Sequence, residues 1–143
     1  GEHCILKMLF TAGSDRGANN TATNEVCTGA LTGGWTNIAI GTGSTAAADA
    51  DTALGTESTV SGLSRAAAST VTWQTTDSPS LSKIQLSETF TSADSSSHTI
   101  TESGLFDSTT VSGSTMLARQ VFTGVALSDG DSITITWTFT VGN

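Results

Sequence analysis

From Ser132 to Val141 the chain alternates without a break, with Ile133, Ile135, Trp137, Phe139 and Val141 separated by Thr134, Thr136, Thr138 and Thr140. A period of two places one set of side chains on each face of a β-strand, so this segment predicts a strand with an apolar core face and a threonine face, central to its fold. The stretch "SDGD" before it (128–131) is a tight-turn sequence, and predicts that 116–127 and 132–141 pair as an antiparallel hairpin. Weaker alternation marks further strands at 35–41, 69–75, 81–91, 97–107 and 114–127, each bounded by Ser, Gly, Asp or Pro. In "EHCILKMLF" (2–10), Ile5, Leu6, Leu9 and Phe10 recur at helical rather than alternating spacing, which predicts a short N-terminal helix. Residues 11–34, rich in glycine and asparagine and poor in apolar side chains, read as a long loop. The pattern as a whole predicts an all-β fold, an antiparallel β-sandwich or jelly-roll-like domain over 35–143 carrying an N-terminal helix or arm over 1–34.

Length and composition agree with that reading. A chain of 143 residues fits one domain able to bury a core without metal or disulfide support. The net charge of −8, with Lys7, Arg16, Arg65, Lys83 and Arg119 scattered, offers no basic stripe, so a nucleic-acid partner is not expected. No apolar run is long enough to span a membrane, and "CILKMLF" is too short for a secretory core, so no membrane partner is expected either.

The most provocative stretch is "IAIGTGSTAAADADTAL" (38–54), in which Gly41, Gly43 and Ala46 meet a loose dinucleotide-binding spacing. That chemistry needs a parallel strand–helix–strand unit, and the crossover helices are missing. Gly41 and Gly43 are therefore expected to form a backbone corner with positive φ at a strand end, followed by a small-residue loop lying over the sandwich. Asp49 and Asp51 do not open an EF-hand, because Leu54 and Val60 stand where glycine and glutamate are required. They read as turn acids, like Asp129 and Asp131. Cys4 and Cys27 complete no zinc-ligand spacing with His3 or His98, and are open to three readings: buried thiols, an intrachain bridge, or bridges between chains. His98 reads as a surface histidine, and Glu102 as a strand carboxylate that pairs across strands or accepts a turn's backbone N–H. Trp35, Trp73 and Trp137 fall in strand patterns that suggest core rather than a sugar-binding groove. No catalytic constellation, cofactor site or metal site emerges.

Three blocks in order, "WTNIAIGTGSTAAADADTALGTE" (35–57), "ITESGLFDSTTVSGSTMLARQVF" (100–122) and "LSDGDSITITWTF" (127–139), resemble a family of small tailed-phage virion structural proteins. Its members resemble capsid decoration or cement proteins, or tail-fibre and collar components. The resemblance implies a structural, non-enzymatic role without cofactors, located in the virion. The implied partners are the major capsid protein or other virion subunits. Local three-fold sites on shells suggest a homotrimer. The N-terminus matches no block. Its apolar residues Ile5, Leu6, Met8, Leu9 and Phe10 are expected to be assembly contacts on neighbouring subunits, with Cys4 and Cys27 able to lock them.

Overall fold

A computed structural model describes residues 5–6, 9–10, 34–73 and 82–141. The described chain contains seven strands: β1 (Asn37–Gly41), β2 (Ala66–Ala67), β3 (Thr70–Trp73), β4 (Ser82–Thr91), β5 (His98–Phe106), β6 (Met116–Leu127) and β7 (Ser132–Val141). They form two antiparallel sheets, one of four strands in the order β2-β1-β5-β6 and one of three in the order β3-β4-β7. Ile38, Ile40, Ile100 and Leu105 from the first sheet meet Ile84, Leu86 and Phe90 from the second in one buried core. The fold is an all-β sandwich.

The hairpin predicted between β6 and β7 does not form. The turn at 128–131 instead carries the chain across from one sheet to the other, so that β6 pairs with β5 and β7 with β4 over ten residue pairs from Ser82↔Val141 to Thr91↔Ser132. Asp131 accepts the Ser128 N–H at 2.9 Å, and Gly130 donates to Ser92 O at 2.8 Å, tying the turn to the end of β4 rather than into a hairpin. In consequence, among the described residues β7 is an edge strand and β4 the central one. The alternation of β7 survives, but its apolar face is half-buried, whereas Ile84 and Leu86 of β4 are sealed.

The N-terminal expectation changes as well. Ile5, Leu6, Leu9 and Phe10 are helical, but Leu6 and Phe10 are only 1% exposed and belong to the sandwich core. The Phe10 ring lies 4.6 Å from that of Phe139, and Leu9 O accepts the Trp35 N–H at 2.8 Å. Two residues proposed as assembly contacts are thus internal. The edge strand β7 leaves the core open beside Phe139, and Phe10 fills that opening. Ile5 remains 46% exposed. Met8, Cys4 and Cys27 lie outside the described residues.

Candidate functional site

β1 is buried along its whole length, unlike a strand with one wet face. Ile38 and Ile40 point into the sandwich. On the outer face Ala39 packs with Leu54 and Phe106 in a second small core. What covers that face is the segment after β1. Gly41 and Glu57 form an isolated bridge, and Thr42 N donates to Thr56 O at 2.9 Å, so residues 42–56 leave and return at one neck as a closed loop.

Glu102 holds the neck. Its carboxylate is 0% exposed and accepts the backbone N–H groups of Gly43 (2.9 Å), Gly55 (2.9 Å) and Thr56 (2.7 Å), gathering both limbs of the loop. Arg119 Nε on β6 donates to the same carboxylate at 2.8 Å, then reaches outward, with Nη1 donating to Asp51 Oδ2 at 2.7 Å and Nη2 to Thr45 O at 2.9 Å. Asp51 in turn accepts the Ala48 N–H at 2.9 Å. Burial pushes the Glu102 carboxyl up, but the three backbone donors and Arg119 outweigh it and hold it below the usual carboxylate value. The Ala48 N–H and Arg119 hold Asp51 low, and Asp51 and Glu102 raise Arg119 further. All three groups are charged at neutral pH.

A register irregularity makes this possible. Ile100 and Leu105 both enter the core although an odd interval separates them, and the pairing of β5 with β6 shifts between Ile100 and Glu102. The shift lets Thr101 and Glu102 face the loop together, with Thr101 Oγ1 donating to Gly43 O at 2.8 Å.

A second arginine braces the other side. Arg65 grips Glu57 through two 2.8 Å hydrogen bonds, donates to Ser108 O and Ser114 Oγ of the β5–β6 connection, and lies 3.5 Å over the Phe106 ring.

Gly41 and Gly43 stand at this neck, but not for the backbone reason expected. Positive φ occurs at Gly62, Gly113 and Gly130 and not at either of these. A Cβ on Gly43 would instead collide with Glu102 Oε1, and one on Gly41 with Thr56 O and the same carboxylate. The glycines are required by close approach. The anion-cradling look of the loop also finds its explanation: N–H groups that would face a phosphate in a nucleotide fold face the chain's own Glu102.

The other candidates are dispersed. His98 Nε2 lies 2.5 Å from Asp94 Oδ2 at the start of β5, half-buried, and that contact holds Asp94 low. Among the described residues no group of three or more His, Cys, Asp or Glu could hold a metal, and no helix is long and apolar enough to cross a membrane. Trp35 packs against the core, and Trp137 Nε1 donates to Ser103 Oγ at 3.1 Å. The side chain of Trp73 lies outside the described set.

In the sequence Glu102 and Asp51 stand apart as separate candidates, and Arg119 is one scattered positive charge among five. The available signal was that Arg119 stands in a strand otherwise without charge. Compared with protein-family models, curated proteins and solved structures, the chain finds no match in any of the three.

Proposed function

We propose that the chain is a non-enzymatic structural protein of a tailed-phage virion, a decoration or cement protein of the outer capsid surface. One observation carries the reading beyond the resemblance of its three blocks: their polar residues are engaged with one another. Gly43, Asp51, Gly55 and Thr56 of the first block meet Glu102 and Arg119 of the second. Trp137 of the third reaches Ser103 of the second. Charged groups that turn inward to fasten a loop serve architecture, and the product is an exposed, small-residue surface at Ser44–Ala50 whose base is fixed from below. A contact surface that is already ordered loses little entropy on docking. Its partner in this reading is the major capsid protein.

The test is to mix the purified chain with shells that lack their decoration, sediment them, and image the bound particles. Density on the outer shell, lost on Ala47→Arg in a variant that still folds, is the expected result. Density confined to the tail would transfer the reading to a tail-fibre or collar role, and no association with any virion part would overturn it.

A further inference from the structure

The two sides of the sandwich are finished differently. On one side the edge strands are β2, 2 residues long, and β3, described over Thr70–Trp73. On the other side the edges are β6 and β7, 12 and 10 residues long. β7 contains no charged residue and no proline, and the single charge of β6, Arg119, is turned away into its ion pairs with Glu102 and Asp51. Between these edges lies an apolar cleft of about 380 Å³, lined by Phe122, Val125, Ile133, Ile135 and Trp137 with Ser103 at its base. Val125 is 41% exposed at its mouth. Among the described residues no strand pairs with the outer edge of either β6 or β7.

We infer that this open side is an interface between two copies of the chain, related by a two-fold axis normal to the sheets. Such a rotation sets β6 antiparallel to its counterpart and β7 antiparallel to its own, so that both sheets continue across the boundary and the two clefts close on each other. A single added strand would satisfy one edge and leave the other bare, whereas a second copy presents a matching pair of edges at the same sheet spacing. Charge points the same way. Two molecules of net charge −8 associate best along strands that carry no unpaired charge, and on this side the acids Asp129 and Asp131 stand in the turn beyond the strand ends. Phe10 already fills the space beside Phe139, so the open stretch is the cleft itself, Ile133–Trp137 of β7 facing Gln120–Val125 of β6, and the strand edges on either side of it carry the pairing.

The inference stands on the fold alone and puts a dimer in place of the homotrimer suggested by three-fold shell sites, so failure of the virion reading would leave it untouched. The experiment is light scattering and sedimentation of the full chain over a range of concentrations, alongside Val125→Glu, with circular dichroism as a check on folding. The expected result is a dimer whose dissociation constant rises about tenfold or more in Val125→Glu, because closing the two apolar clefts on each other would bury an unpaired carboxylate. Hydrogen exchange supplies a second readout, with the β6 and β7 amides gaining protection as concentration rises. A monomer at all concentrations, a trimer, or a dimer indifferent to Val125→Glu without concentration-dependent protection of these amides would overturn the inference.

Discussion

Glu102 and Arg119 sit on neighbouring strands, and the 2.8 Å hydrogen bond between Arg119 Nε and Glu102 Oε2 joins two side chains that are both fastened to the same loop from opposite ends. The carboxylate collects the loop's N–H groups at its neck, and the guanidinium collects an oxygen from Thr45 and another from Asp51 further along. Donors meet an anion and acceptors meet a cation, so the pair fastens a stretch of irregular backbone from beneath, with the Gly43 N–H the buried donor among them.

Replacing Glu102 by Gln keeps the shape but puts an NH₂ group among donors and leaves Arg119 without its buried partner. The expected cost is about 3–5 kcal/mol, the range for breaking a buried ion pair from one side. Urea unfolding would measure it, and a loss below 1 kcal/mol, within the reach of an ordinary exposed pair, would show that the Glu102–Arg119 pair does not hold the loop.

Acid should release the loop. The folded-state value of Glu102 lies below its ordinary 4.5, so its contribution is fully present above the unfolded value and is lost as pH falls through the depressed folded one. Asp51, also lowered from its ordinary 3.8, acts in the same direction. Stability should therefore hold from neutral pH down to the ordinary carboxylate range and then decline. In Glu102→Gln the decline should be shallower, and equal slopes in the two proteins would contradict the assignment.

Two glycines separate close approach from backbone strain. Gly43 has room for no Cβ beside Glu102, so Gly43→Ala should cost about 1–3 kcal/mol, as overpacking does, and Gly43→Asn more. Gly113 has φ +77 and nothing within 4 Å of an added Cβ, so Gly113→Ala should cost about 1–2 kcal/mol and Gly113→Asn less than that, since asparagine tolerates the left-handed region. Thermal melts of the four variants decide it, and the same Ala-to-Asn order at both sites would mean the two causes are not distinct.

Edge position reverses the expected ranking of two core partners. Leu86 of central β4 lies opposite Trp137 of edge β7, and is sealed where the tryptophan is only partly buried. Leu86→Ala should cost about 2–5 kcal/mol. Trp137→Ala should cost less than its size suggests, because Trp137 is only partly buried and lines the cleft rather than sitting sealed in the core. A larger loss for Trp137→Ala in denaturant titrations would return β7 to the centre of the fold.

How much of this was legible depended on how local the cause was. The bounds of β4, β5, β6 and β7 follow alternation that reads directly from the chain, and Ile133 to Val141 point as their spacing demands. The partner of β7 did not follow, because a tight turn is compatible with a hairpin or with a step between sheets, and the Ser92 contact that decides it is remote in sequence. Phe10 looked like spare apolar surface because nothing in its own segment reveals the opening beside Phe139. Glu102 was recognisable as a possible acceptor of backbone N–H groups. Its actual donors depend on a register shift that alternation alone does not announce.

The cluster of donors around Glu102 also predicts a space that can be refilled. Glu102→Ala leaves the N–H groups of Gly43, Gly55 and Thr56 and the Arg119 guanidinium around a space the size of a small carboxylate, with an excess of positive charge. Formate has the charge and the two oxygens the site has lost, and formamide has its shape without its charge. Binding to the folded state should stabilise the variant by about 1.4 kcal/mol when formate reaches roughly ten times its dissociation constant. Formamide should not do so, and the parent chain, whose own carboxylate fills the site, should respond to neither beyond an equal concentration of chloride. Melting curves across a formate series make the comparison. If parent and Glu102→Ala gain equally, the ion acts on the surface at large, and the N–H groups of the loop are not held in place for an anion.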